Sequence, residues 1–340
     1  MITFDPAGPL PSGTVVLEAS AGTGKTYAIA ALATRYLAEG VVQIEHLAVI
    51  SFSRVASEEL RSRVRERLRR SAAYLDSVVN GTPSSSDPDA TDTVLATGEP
   101  SEVAARLDRL RAALAGVDSA GIMTIHQFCQ TMFTELGVLA TEDPEATLVE
   151  DLTSMLEEVV CDLYLARYAA LSERPFDLAT ARNLARAAAL QLPTAALAPV
   201  DAGPVAQERL AFATAVREEM ERRKQRLGVF SYDDQLLRLS TSLQGPGGQA
   251  GAERLRRRCR VVLVDEFQDT DPVQWGILRD TFAGRVPLVL IGDPKQAIYA
   301  FRGADVNAYA DAVRAADQKY SLDVNFRADQ PVVEAITALF

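Results

Sequence analysis

The sequence predicts an α/β fold in which a parallel sheet is flanked by helices on both faces and carries an inserted, mainly helical subdomain. Three observations point there. First, Thr14-Val15-Val16-Leu17-Glu18, Leu47 to Phe52, Val261 to Val264 and Leu288 to Ile291 are short apolar runs that each end in a polar loop. Continuous rather than alternating hydrophobicity marks strands buried on both faces. Second, helical periodicity follows the first two runs: Ile29, Leu32, Ala33, Tyr36 and Leu37 share one face, and a polar amphipathic helix runs from about Ala56 to Leu68. Third, from about Phe128 to Arg226 the chain is rich in Ala, Leu, Glu and Arg with few β-branched runs, which reads as a helical insertion. The expected division is 1–127 for the first part of the sheet domain, 128–228 for the insertion and 229–340 for the second part. In such a sheet the functional groups gather at the carboxyl ends of the strands.

The connections are uneven. Residues about 80–101, rich in Ser, Asp, Thr, Pro and Gly, have too little apolar content to pack and predict a flexible surface loop. Ser242 to Gly251 reads as a second, Gly-rich loop. Val332, Val333, Ile336, Leu339 and Phe340 form an apolar helical stripe that stops without a cap, so a longer protein is expected.

Composition narrows the class. With 340 residues, 48% hydrophobic and 24% charged, the chain can bury a substantial core. It has no run of about 18 apolar residues and no basic residue before Lys25, so neither a membrane span nor a signal peptide is expected, and the predicted location is the cytoplasm. Cys129, Cys161 and Cys259 are scattered without metal-ligand spacing and are assigned no chemistry. A net charge of −11 argues against nucleic acid as a partner only if averaged over the surface. Basic residues cluster at Arg61 to Arg70, Arg217 to Arg226 and Arg254 to Arg260, and each run reads either as a local basic face or as a solvated helix face.

The chemistry lies at the strand ends. Ala19-Ser20-Ala21-Gly22-Thr23-Gly24-Lys25-Thr26 approximates the phosphate-binding loop G-x-x-x-x-G-K-[ST], with Ala19 where the pattern has Gly, a departure tolerated at negative φ. The two glycines let the backbone wrap a phosphate chain against the helix amino terminus. Lys25 then reaches the β and γ phosphates of ATP, and the Thr26 hydroxyl binds Mg²⁺. After a later strand come Asp265 and Glu266, either a solvated turn or, in a phosphate-loop protein, a Mg²⁺ ligand (Asp265) and a carboxylate that polarises the attacking water (Glu266). A third strand ends in Gly292-Asp293-Pro294-Lys295-Gln296, where Gln296 can hydrogen-bond a γ-phosphate or water. On the same loop Tyr299, Phe301 and Arg302 offer stacking planes and a cation to single-stranded DNA, or serve as core aromatics.

In their order these segments resemble the superfamily 1 helicases of the UvrD and Rep type. Ser51-Phe52-Ser53 with Ala56, Glu58, Glu59, Leu60 and Arg63 is similar to that family's second motif. Thr124-Ile125-His126-Gln127-Phe128-Cys129 is similar to its next DNA-contacting motif, and Tyr232 to Leu237 to the segment preceding the acidic one. Ser321 to Arg327 resembles the fourth motif, which implies that Arg327 reaches the γ-phosphate. The resemblance implies a RecA-like core, catalytic roles for Glu266, Gln296 and Arg327, and DNA contacts from Ser51, Phe52, Thr124, His126, Tyr299, Phe301 and Arg302. Glu18 to Thr26, residues 124–130, and Ala304-Asp305-Val306 with Tyr309 are most similar to the RecB type, with the AddA nuclease-helicases next.

The RecB-type resemblance implies ATP-driven 3′ to 5′ translocation on single- and double-stranded DNA ends, with RecC-like and RecD-like partners, in double-strand break repair and recombination. Readings from other classes are a nucleotide-gated DNA-binding module without motor activity and a metabolite kinase, the latter disfavoured by Glu266 and Gln296. No glutamine precedes the phosphate loop to read adenine, and neither the family's later motifs nor a nuclease domain is found in these residues.

Overall fold

The computed structural model describes residues 1–83, 87–137, 146–191, 197–198, 203–297 and 305–339. These fall into two compact units, one of residues 1–137, 240–297 and 305–339 and the other of residues 146–239.

The first unit begins with β1 (Ile2–Thr3), β2 (Thr14–Ala19), α1 (Lys25–Ala38), β3 (Leu47–Ser51), α2 (Arg54–Asn80), α3 (Ala90–Ala96), α4 (Pro100–Ala115), β4 (Gly121–Thr124) and α5 (Ile125–Leu136). The second unit holds β5 (Thr147–Leu148), α6 (Thr153–Tyr168), α7 (Leu178–Arg186), α8 (Pro204–Leu227) and β6 (Val229–Phe230), followed by the start of α9 (Tyr232–Gln244). The first unit then resumes with α10 (Gly248–Arg258), β7 (Val261–Val264), α11 (Pro272–Phe282), β8 (Leu288–Gly292), α12 (Val306–Ala315), β9 (Gln318–Leu322) and α13 (Gln330–Leu339).

Seven strands form one all-parallel sheet in the order β1-β9-β2-β8-β7-β3-β4. The four apolar runs read from the sequence are its centre, buried on both faces. Three strands escape that reading: β1 is two residues long, β4 is four, and β9 (Gln-Lys-Tyr-Ser-Leu) mixes polar side chains into a less buried strand. On one face Val15, Leu17, Val49, Leu263, Val289 and Ile291 share a core with Ile29, Leu32 and Tyr36 of α1, Leu60, Val64 and Leu68 of α2, and Leu107 and Leu110 of α4. The other face carries α5, α10 and α11, where Phe128 and Phe282 meet at 6.0 Å between ring centroids.

Three boundaries differ from expectation. The segment about 80–101 is not a loop throughout: α2 continues to Asn80, and α3 follows with Asp89 as its amino-terminal cap and with Thr91, Asp92 and Leu95 buried. Burying one leucine stabilises by roughly 1.5–3 kcal/mol. The polar residues that made the segment look solvated are partners for Arg67, whose guanidinium pairs with Asp89 and Asp92. Ser242 to Gly251 shrinks to the three residues between α9 and α10. Residues 128–137 belong to the sheet unit through α5, and the helical unit extends through residue 239. That unit's core is an aromatic cluster of Tyr164, Tyr168, Phe176 and Phe212, with edge-on and tilted rings 5.2–6.5 Å apart.

Candidate active site

β2 delivers the chain to the phosphate-loop sequence. Ala19 is still in the strand, opposite Leu322 of β9, and its φ lies outside the left-handed region that would ask for glycine. The chain then turns, with both the amide and the hydroxyl of Thr23 donating to the Ser20 carbonyl at 3.3 and 2.8 Å. Gly22 has φ 80°, and a Cβ there would stand 2.7 Å from Arg327 Cβ and 2.8 Å from Asn325 Oδ1, so conformation and space both require glycine. Gly24, also left-handed, caps α1 without any side-chain cap, and no acid occupies the first turn. The amide groups and positive end of the helix therefore face the loop.

β8 lies between β2 and β7, so three strand ends converge. Asp265 directly follows β7, with Oδ1 buried and without a hydrogen-bond partner. Burial, and after it the charge of Glu266, pushes its carboxyl up to about 7. Asp269 is raised to about 6 by the same two causes. A buried carboxylate oxygen with no protein partner fits a cation. Among the described residues no cluster of three or more His, Cys, Asp or Glu could hold a metal alone. A cation here would combine Asp265, Thr26 and oxygens of a bound phosphate.

Glu266 is the one described non-glycine residue with positive φ, at 50°. A left-handed glutamate costs of order 1–3 kcal/mol and persists only where its surroundings enforce it. Here the Asp269 amide donates to its carbonyl at 2.9 Å, and Phe267 is locked against Trp275 and Tyr309. The strained backbone carries the carboxylate to Lys25, whose Nζ donates to Oε2 at 2.7 Å. Gln268 Nε2 donates to the same oxygen at 2.7 Å, and Gln268 Oε1 accepts from the Asp293 amide at 3.0 Å. Asp293 Oδ2 in turn accepts from Gln296 Nε2 at 2.7 Å. A Cβ on Gly292 would lie 2.6 Å from Gln268 Oε1, so glycine at the end of β8 makes room for this chain of bonds. Lys25 and Gln296 are thus connected through Glu266, Gln268 and Asp293.

Lys25, Asp265 and Glu266 line a cleft of about 550 Å³ with Thr26, Glu59 and Arg327. The Phe326 amide donates to the Gly22 carbonyl at 2.8 Å, tying the fourth-motif segment to the loop. A second cavity of about 580 Å³, sharing Gly24 and Phe326 with the first, is walled by Phe4, Pro6, Tyr27, Leu322 and Val324. A polar cleft that suits phosphates and a metal thus adjoins an apolar one that suits a flat ring.

The model of the UvrD/REP helicase N-terminal domain matches residues 5–317. The chain belongs to that family. It is 45% identical to the RecBCD enzyme subunit RecB of Mycolicibacterium smegmatis, an alignment covering 100% of this chain and 31% of the relative. Against the RecB subunit of Mycobacterium tuberculosis identity is 44% over 99% of this chain and 30% of the relative. With the Escherichia coli RecB subunit it is 43% over 37% of this chain and 11% of the relative. The chain spans about 30% of the length of the two mycobacterial relatives.

The helicase motifs are not equally available to a ligand. Ser51 and Thr124 stand opposite each other in the β3–β4 register, at the carboxyl edge of the sheet. Both are buried with engaged hydroxyls: Ser51 Oγ meets Ser57 Oγ at 2.8 Å, and Thr124 caps α5 in a reciprocal box with Gln127. Their side chains therefore shape the edge, and the half-buried Phe52 and His126 stand beside them. Tyr299, Phe301 and Arg302 lie outside the described residues. The arginine run on α2 is largely neutralised: Arg61 donates to the Ile122 carbonyl, and Arg63, Arg65, Arg67, Arg69 and Arg70 pair with Glu59, Asp118, Asp89, Glu66 and Asp92. Gln268, Tyr27, Phe4 and Phe326 are site residues that motif reading passed over. Gln268 and Phe326 stand inside quoted motifs, and Tyr27 directly follows Thr26, so position was the available signal.

Asp265 is expected to make cation binding in the cleft pH-dependent. Its folded carboxyl, at about 7, lies above the ordinary value of 3.8. A raised acid stabilises the folded protein at low pH and loses that stabilisation as pH rises through about 7, and a cation bound at Asp265 would release the proton. The Mg²⁺ concentration needed for half-maximal nucleotide binding should rise about tenfold per pH unit below 7 and level off above it. Asp265→Asn should bind Mg²⁺ more weakly with no such slope. Titrations at pH 5.5, 6.5 and 7.5 check this; a flat wild-type profile would remove Asp265 from the cation site.

Proposed function

We propose that the chain is the ATP-binding motor part of a 3′ to 5′ DNA helicase subunit in a RecBCD-type exodeoxyribonuclease V, acting on DNA ends in double-strand break repair with RecC-like and RecD-like partners. The observation that carries the proposal is the meeting of Lys25, Thr26, Asp265 and Glu266 in one cleft at the carboxyl ends of β2 and β7. Identity to RecB subunits of 44–45% across nearly the whole chain supports the subtype over an AddA-type or UvrD-type motor.

In this reading Ser20 to Lys25 wrap the phosphates of ATP with backbone amides. Lys25 leaves Glu266 and moves to the β and γ phosphates, a charge-assisted contact that replaces its 2.7 Å bond to the carboxylate. Glu266, relieved of Lys25 and still held by Gln268, is then able to accept a proton from water. Mg²⁺ on Thr26 and Asp265 would supply charge neutralisation at the phosphates. Arg327 faces the same cleft from the segment that Phe326 ties to Gly22. The base packs in the apolar cavity against Phe326 and Tyr27. Gln296, three residues before Tyr299, relays DNA occupancy through Asp293 and Gln268 to Glu266.

Phosphate release by a longer protein carrying the second motor domain, measured with and without poly-dT, tests the motor reading. DNA should stimulate hydrolysis, and Gln296→Ala should bind DNA yet lose the stimulation. DNA-independent nucleotide binding without turnover would instead favour a nucleotide-gated module.

A further inference from the structure

The apolar cavity beside the loop has one wall whose position depends on residues far from any helicase motif. Tyr27 lines it, and the Tyr27 hydroxyl donates to Asp89 Oδ2 at 2.7 Å across 62 residues of sequence. Asp89 is itself gripped by Arg67, with both guanidinium nitrogens on its two oxygens, and the Arg67 guanidinium stands 5.6 Å from the centre of the Tyr27 ring. Arg67 is buried and also pairs with the buried Asp92, which accepts from Ser71 at 2.7 Å. Although burial alone would raise it, the Arg67 contact holds the Asp89 carboxyl well below the usual carboxylate range. Asp89 therefore stays charged, and a charged acceptor roughly doubles the strength of the tyrosine bond.

We infer that Asp89, fixed by Arg67, is a positioning residue that holds the Tyr27 ring as a wall of the cavity for the nucleotide base. The inference rests on the reading that the base occupies this cavity. The geometry separates two tasks. The α1 backbone places Tyr27 next to the phosphate loop, but the residue is 42% exposed, so packing alone does not enclose its ring. The segment carrying Asp89 fixes the ring from outside, and α3, which Asp89 caps, anchors that segment through Leu95 and Asp92. Residues 80–101 thus gain a function in nucleotide recognition that their loop-like composition conceals.

The test compares affinities for MgATP and for magnesium tripolyphosphate, which has the phosphates without the base. Tyr27→Phe removes only the bond to Asp89, leaving the ring and the Arg67 pair in place. It should weaken MgATP about fivefold and leave tripolyphosphate unchanged. Asp89→Asn, which keeps an acceptor but loses the charge, should show a smaller loss of the same kind, with melting temperature recorded to confirm folding. Phe326→Ala is the control for the base reading. If Phe326→Ala weakens MgATP selectively while Tyr27→Phe binds as wild type, the positioning role is overturned and the base reading stands. If neither variant discriminates ATP from tripolyphosphate, the base does not occupy the cavity and both fail. Equal loss of both ligands in Tyr27→Phe would also overturn the inference, since it would mean the loop itself had been disturbed.

Discussion

Replacing Glu266 with Gln in a longer protein that hydrolyses ATP should lower turnover by about 10²–10⁴-fold, the usual contribution of a positioned general base, while leaving MgATP bound. The geometry adds a sharper expectation. Lys25 donates to Glu266 at 2.7 Å, so this carboxylate would compete with phosphate for the lysine. The amide weakens that competition, and MgATP should bind Glu266→Gln at least as tightly as wild type. Gln268 Nε2 can still donate to the amide oxygen, so the strained turn should persist. Single-turnover hydrolysis together with equilibrium binding checks both halves. Equal loss of nucleotide in Glu266→Gln and Asp265→Asn would mean that the two carboxylates do not divide the roles of base and metal ligand.

The present chain by itself should bind MgATP but hydrolyse it about 10³–10⁵-fold more slowly than the longer protein, with or without DNA. An arginine supplied across a domain boundary contributes a factor of that size to phosphoryl transfer. Among the described residues Arg327 is the one arginine lining the cleft, and the helicase resemblance implies a second from another motor domain. Steady-state phosphate release from both proteins under the same conditions decides this. A chain within tenfold of the longer protein would show that the cleft is catalytically complete.

Much of this site was legible because its signals are local. Gly22 and Gly24 hold left-handed backbone that few residue types adopt, Lys25 and Thr26 follow them directly at the start of α1, and Asp265 and Glu266 sit just past a strand whose four residues are all apolar. Fold class followed from the same buried strands. What escaped the sequence was mostly non-local. Asp89 and Asp92 look like loop residues until Arg67, more than twenty positions earlier, is seen to need them. The arginines of α2 look like a nucleic-acid face until their carboxylate partners on α2, α3 and the turn before β4 are placed beside them. Ser51 and Thr124 match DNA-contacting motifs, yet burial turns their hydroxyls inward to a neighbouring serine and a helix cap. Gln268 is hidden differently: it lies within a quoted motif, but its use as a bridge from Glu266 to Asp293 requires β8 to lie between β2 and β7, an order that no local pattern encodes.

Calorimetric titration of MgATP into the wild-type chain and into Lys25→Ala tests the central claim most directly. Loss of a charge-assisted phosphate contact, worth roughly 1.5–3 kcal/mol, should weaken binding at least tenfold. Wild-type binding should also disappear when Mg²⁺ is chelated. Unchanged affinity in Lys25→Ala would mean that the cleft between β2 and β7 is not where this chain holds nucleotide.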